Sequence, residues 1–285
     1  MTEIKNILVA LDLSEIDNTL IEYASFIAET LQVKKVYFVH NIKKYEISEL
    51  FDEQLKDLNL DEIIGDELND KVEEKFTSSA KWEVLISEDP YSESLINYIV
   101  NKYDIQLALI GNKNRINGTG VVSGKLLRML KCSILSIPKD AKPVITNIWA
   151  GTDFSSATKK VFEVAENLQR TTAASVKAVH VYNVPVQFSP YIPKENLDLK
   201  IENHLKEKCE KFIKKIGYKG DLTTEIIPGR ESGVAEKLRI KAETSKVDLI
   251  IVGDKGHNVF SSLLVGSVTE ELFNQDMNVP LWIVK

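Results

Sequence analysis

Between residues 253 and 269 the sequence reads Gly253-Asp-Lys-Gly256-His257-Asn-Val-Phe-Ser-Ser-Leu-Leu-Val-Gly266-Ser267-Val268-Thr269, a spacing of Gly-x2-Gly-x9-Gly-Ser. Glycines in such a loop let backbone N–H groups approach an anion with no Cβ in the way. Gly266 and Ser267 would then open a helix, whose first amides and positive dipole end favour phosphate. A blander reading stays open beside this one. Ser267 with Glu270 three positions on also forms a capping box, which explains the serine with no ligand, and the glycines could serve tight turns alone. Chemistry beyond a phosphate cradle has thin support. There is no Gly-x4-Gly-Lys-(Ser/Thr) loop, no zinc signature and no Gly-x-Ser-x-Gly elbow. Asp254 and His257 could orient water or Mg²⁺, but a loop Asp and a loop His are more often simply solvated.

The elements that must position this loop are written twice. Lys5-Asn-Ile-Leu-Val-Ala-Leu-Asp12-Leu-Ser14 recurs as Thr146-Asn-Ile-Trp-Ala-Gly-Thr-Asp153-Phe-Ser155 at an offset of 141. His40 and His180 close matching apolar runs at an offset of 140, and Gly111 and Gly253 close another pair at 142. Such self-similarity fixes architecture before any motif is interpreted. Short apolar runs bounded by Gly, Asp or Pro alternate with segments of helical period, which is the pattern of a parallel sheet with helical crossovers. The pattern predicts strands near 4–11, 35–40, 82–87, 105–110 and 133–137, and again near 146–152, 175–182, 222–227, 247–252 and 280–284. Helices are expected over Ile16 to Leu31 and Ala157 to Gln169, behind Ser14 and Ser155 as N-caps. Each half is therefore expected to be a doubly wound α/β domain with a five-stranded parallel sheet. The prolines and charges of Pro138-Lys-Asp-Ala-Lys-Pro143 mark the boundary, giving domains 1–140 and 144–285. Segments 46–77 and 183–216 are longer than a simple crossover requires. In an open parallel sheet ligands collect at the carboxyl ends of strands, where a loop leaving the fourth strand is well placed.

Composition narrows the partners. With 44% hydrophobic and 27% charged residues the chain is ordinary for a globular protein, and its net charge of −6 argues against a broad phosphate-neutralising surface. Nucleic acid is not expected as a partner. Cys132 and Cys209 stand one in each half without metal-ligand spacing, which fits a reducing compartment. The opening run Ile4 to Leu11 lacks the flank and cleavage site of a signal peptide, and no stretch has the length to span a bilayer. A cytoplasmic protein with no membrane partner is the expectation.

The loop from Gly253 to Thr269, set within a repeat that spans the whole chain twice, resembles the ATP-binding signature of the universal stress protein family. The resemblance implies tandem Rossmann-like, adenine nucleotide hydrolase-like domains. It implies that Gly253, Gly256, His257, Gly266, Ser267, Val268 and Thr269 surround the phosphates of ATP, alone or with Mg²⁺. It also implies that Asp153 lies near the ribose and adenine, and that the backbone of Val181, after the strand-two His180, contacts the base. On residue type alone Asp153 reads equally well as a turn former or helix cap, and His180 as a strand-end ring with its hydrogen bonds satisfied. Relatives of a single half pair through their last strands, so the resemblance implies an intramolecular pseudo-dimer through 133–137 and 280–284, and leaves room for a homodimer of chains.

The first half carries a decayed version of the loop, Gly111-Asn-Lys113-Asn114-Arg115-Ile-Asn-Gly-Thr-Gly120-Val121-Val-Ser123-Gly124-Lys125. Gly124 keeps the nine-residue spacing from Asn114 but leaves only eight residues before Ser133, too few for the last helix. Aligning Gly120 leaves twelve, so Gly120 is preferred, with Asn114 in place of the second glycine and Val121 in place of the serine. Asp12 persists, and Lys113 and Arg115 could still attract an anion, but one nucleotide per chain is expected. Three functions follow in order. The first is a nucleotide-dependent stress-response module in which ATP orders 254–265 and the helix after it. The second is a slow ATPase or phosphotransferase, and the third is an assembly scaffold without nucleotide.

Overall fold

Runs such as Ile7-Leu8-Val9 and Leu249-Ile250-Ile251 bury every side chain, as strands covered by helices on both faces must. The computed structural model describes residues 3–42, 59–112, 121–183, 194–229, 233–256 and 265–285. The chain divides into two compact units, Thr2–Val144 and Ile145–Lys285.

The first unit runs β1 (Asn6–Leu11), α1 (Ile16–Leu31), β2 (Lys35–Asn41), α2 (Leu60–Lys75), β3 (Lys81–Ser87), α3 (Ser92–Lys102), β4 (Leu107–Asn112), α4 (Val121–Met129) and β5 (Ser133–Pro138). Its strands pair in parallel in the order β3-β2-β1-β4-β5. The second unit runs β6 (Asn147–Gly151), a 3₁₀ turn (Ser156–Thr158), α5 (Lys159–Thr172), β7 (Ser175–Tyr182), α6 (Lys194–Ile216) and β8 (Leu222–Pro228). It ends with α7 (Val234–Thr244), β9 (Leu249–Gly253), α8 (Ser267–Asn274) and β10 (Leu281–Val284). Its parallel order, β10-β9-β6-β7-β8, is the same arrangement read from the other side. Strand order reverses between β1 and β4 in one unit and between β6 and β9 in the other, and ligand crevices of doubly wound sheets open at such points. Both long segments after the second strands contribute crossover helices, α2 and α6.

The repeat extends to backbone conformation. Among the described residues six that are not glycine have positive φ, and they form three pairs: Leu13 and Phe154, Gln32 and Ala173, Asp104 and Lys246. A left-handed residue with a Cβ costs about 1 kcal/mol, so its appearance at matching places in both units reflects the same packing demand. Leu13 and Phe154 turn the chain off the first strand, and Gln32 and Ala173 cap the helix that follows. The core beneath is aromatic in the second unit, where Trp149 and Trp282 are fully buried on β6 and β10.

The expected N-caps are corrected. α1 starts behind Glu15 with no side-chain cap, and the Ser14 hydroxyl donates instead to Asp12 Oδ1 at 2.5 Å. Ser155 precedes the 3₁₀ turn without capping it, and its Oγ is buried without a hydrogen-bond partner. Ser14 lies one residue before the cap position, which Glu15 holds, and Ser155 holds the cap position of the 3₁₀ turn with extended backbone but makes no side-chain bond to its amides.

Candidate functional site

At the carboxyl edge of the second sheet, β6 leads through Thr152 to Asp153, and β9 ends at Gly253. Asp153 Oδ1 accepts the Ser155 amide at 3.0 Å, a local turn that holds the carboxylate in place. A Cβ on Gly256 would come within 3.2 Å of Asp153 Oδ2, so the loop backbone runs directly against that carboxylate. The Gly266 amide donates to the Asp254 carbonyl at 2.8 Å, joining the two ends of the loop. A Cβ on Gly266 would lie 3.4 Å from the Gly256 nitrogen and 3.5 Å from the Asp254 carbonyl oxygen. Gly253, Gly256, Gly266 and Asp153 therefore converge. None of the three glycines has a left-handed φ, so space rather than conformation is what each one supplies here.

α8 begins at this point. Gly266 occupies the cap position with extended backbone (φ −64, ψ 138) and no side chain caps the helix. Its first internal bond runs from the Glu270 amide to the Gly266 carbonyl at 2.9 Å. The amides of Ser267, Val268 and Thr269 come before it, at the positive end of the helix dipole. Ser267 is exposed and sits one position inside the helix, so the Ser267–Glu270 capping box does not form. The buried Thr269 departs from the expectation in part. Its hydroxyl donates to the Gly253 carbonyl at 2.7 Å, pinning α8 to the end of β9, which leaves only its amide for a ligand.

Val181 lies near the end of β7, and Gly151 pairs with Val179, which brings Asp153 and Val181 to the same edge of neighbouring strands. His180, between them, turns its Nδ1 to the Thr152 carbonyl at 2.7 Å, and His40 does the same to the Leu11 carbonyl at 3.1 Å. A carbonyl only accepts, so Nδ1 carries the proton in each ring. Burial pushes the His180 pKa below its ordinary value, and the Phe154 ring lies 4.4 Å away, centroid to centroid. His257 lies outside the described residues.

Sequence reasoning missed the charges that surround Asp254. Burial raises its pKa, while Lys255, Lys285 and Lys160 pull it the other way. Lys160 lies on α5 and Lys285 follows β10, so only the fold brings them near this loop. In the first unit the helix after the corresponding loop starts at Val121, and Gly124 falls inside it. That rules out Gly124 as the helix-opening glycine and leaves the Gly120 alignment; Lys113, Asn114, Arg115 and Gly120 lie outside the described residues.

Two units of parallel sheet wrapped by helices on both faces, each with a strand-order reversal, make this a tandem, Rossmann-like doubly wound α/β protein. Residues 145–285 match the model of the universal stress protein family, and through this unit the chain belongs to that family. A universal stress protein of Methanocaldococcus jannaschii is 29% identical over 168 residues, covering 56% of this chain and 94% of that protein. A solved universal stress protein of Archaeoglobus fulgidus superposes with a TM-score of 0.68 at 18% identity, covering 100% of this chain and 99% of its own. A putative universal stress protein of Pseudomonas aeruginosa gives 0.65 at 16% identity, covering 99% and 93%. At these identities the two structures speak to the fold.

Proposed function

We propose that the second unit binds one ATP per chain and that the protein works as a nucleotide-dependent module of the stress response. The observation that carries this reading is the convergence of Gly253, Gly256 and Gly266 on an uncapped helix start, with Asp153 alongside, at the strand-order reversal. Backbone amides without a side-chain cap at a helix N-terminus favour an anion, and the absence of Cβ atoms leaves room for it to approach. Lys160, Lys255 and Lys285 add positive charge around the same loop. The donor set fits a polyphosphate. Asp153 would accept from the ribose hydroxyls, and the β7 backbone at Val181 would meet the base.

Binding, rather than turnover, is the activity these groups support. Occupancy would stabilise the unit by mass action, about 2.7 kcal/mol at a hundredfold excess over Kd, and so bias a surface that a partner can sense. Calorimetry and thermal unfolding of the full chain with ATP, AMP and no nucleotide test this. One ATP per chain and a rise in Tm, both lost in Gly266→Asp, are expected; no heat at millimolar ATP would overturn the reading.

A further inference from the structure

The first unit carries the same strand-order reversal, and its crevice holds different contents. Ile16, the first residue of α1, is buried against the end of β4. A Cβ on Gly111 would come within 2.8 Å of Ile16 Cδ1, 3.3 Å of Cγ2 and 3.5 Å of Cγ1. Gly253, the counterpart of Gly111, has a different neighbourhood: its nearest atoms are the Lys255 carbonyl oxygen at 3.2 Å and Val161 Cγ2 at 3.8 Å. At the repeat offset, the counterpart of Ile16 is Ala157, which is exposed.

The next residue differs in kind as well. Asp17 is 0% exposed, and its carboxylate accepts the amides of Asp12 at 3.1 Å and Leu13 at 2.9 Å. Its counterpart Thr158 is neutral; the hydroxyl donates to the Ser155 carbonyl at 2.9 Å and lies 3.3 Å from Thr152 Oγ1. In the first unit, then, two amides that leave β1 turn inward to a carboxylate of the same unit.

We propose that Ile16 and Asp17 together close the sheet-end crevice of the first unit from within, so that this half takes no nucleotide. The proposal extends the assignment of ATP to the second unit and rests on it for the choice of ligand. Ile16 fills volume over Gly111 with a branched, stiff side chain anchored in a helix. Asp17 holds the two amides at the end of β1 with a buried carboxylate, whereas the second unit has the neutral Thr158 there and turns the Phe154 amide to Thr152 Oγ1. The first unit thus sets a negative group at its sheet end that the second lacks. The closure is built into the first turn of α1.

Two measurements on the full-length chain test this. The first uses a photoreactive azido-ATP and maps the labelled peptides. Label is expected only within 145–285 of the native chain, and additionally within 2–144 of Ile16→Ala/Asp17→Thr. Label within 2–144 of the native chain, or none gained there by a folded double variant, would overturn the proposal. The second needs no nucleotide. Gly111→Ala should lower Tm by about 4 °C in the native background and by little in the Ile16→Ala background, because the clash is with Ile16. Equal losses in both backgrounds would also overturn it, and this cycle decides if the double variant does not fold. Absence of label from 145–285 would count against the second-unit site alone.

Discussion

Thr269 donates its hydroxyl to the Gly253 carbonyl at 2.7 Å, closing a span of sixteen residues between the end of β9 and the first turn of α8. The bond fixes the helix start relative to the sheet edge, and any phosphate cradle built from both elements depends on it. Thr269→Val keeps the side-chain shape and leaves that carbonyl without its partner, a cost of about 1–3 kcal/mol. The expected outcome is a roughly tenfold weaker ATP Kd by calorimetry, equivalent to about 1.4 kcal/mol, with native circular dichroism. Thr269→Ser retains the hydroxyl and should bind as the native chain does.

Gly256 runs against Asp153, and a Cβ added there would make a tight contact with Asp153 Oδ2 at 3.2 Å. Gly256→Val would push the loop off the carboxylate and fill the approach path with methyl groups. ATP binding should fall more than tenfold while the fold persists, because Gly256 lies in a loop outside the packed strands. A variant that unfolds the second unit would instead assign this glycine to the core.

Much of this fold was legible in the sequence, and the residues that carried it are those repeated at a fixed offset. Asp12 with Asp153, His40 with His180 and Gly111 with Gly253 mark strand ends, where a period of two stops and a helical period begins. Serines misled because Ser14 and Ser155 have the chemistry of an N-cap, whereas Ser14 lies one residue short of the helix cap and bonds Asp12, and Ser155 makes no cap bond; the left-handed Leu13 and Phe154 before them were likewise not foreseen. No local signal marks a residue such as Leu13 for positive φ. The site was half visible. Glycine spacing located the loop, but Lys160, Lys285 and Asp254 meet only through the fold, and the burial of Ile16 and Asp17 has no signature in an otherwise amphipathic helix.

His180 gives the second unit a pH dependence of definite sign. Its pKa is depressed below the ordinary 6.5, first by burial and then by Lys208, against the pull of the Thr152 carbonyl and Asp153. Above 6.5 the ring is neutral in both folded and unfolded chains, and its stabilising contribution is complete. As pH falls from there toward the depressed value, the unfolded chain takes up a proton that the folded chain refuses, so stability declines. Urea unfolding at pH 7.5 and 5.5 should show this loss, and His180→Asn, which keeps a donor for the Thr152 carbonyl, should reduce it. An unchanged slope in the variant would assign the pH dependence to other groups.

Asp254 behaves in the opposite sense and couples to the ligand. Burial raises its pKa above the ordinary 3.8, with Lys255, Lys285 and Lys160 opposing. The folded chain therefore holds this proton more tightly than the unfolded chain does, and stability falls as pH rises from 3.8 to the elevated value, with the penalty persisting above it. Asp254→Asn should accordingly raise Tm at pH 7 and leave it unchanged below about pH 2.5, where the native side chain is protonated in both states. The same substitution removes a negative charge beside the proposed phosphate loop, near Lys255, Lys285 and Lys160. ATP in EDTA should then bind roughly threefold more tightly, the size of one screened charge contact of about 0.7 kcal/mol. With Mg²⁺ present the two outcomes diverge: equal or tighter binding means Asp254 only repels the phosphates, whereas weaker binding means its carboxylate helps to hold the cation. Calorimetry of native and Asp254→Asn chains, with EDTA and with Mg²⁺, separates them.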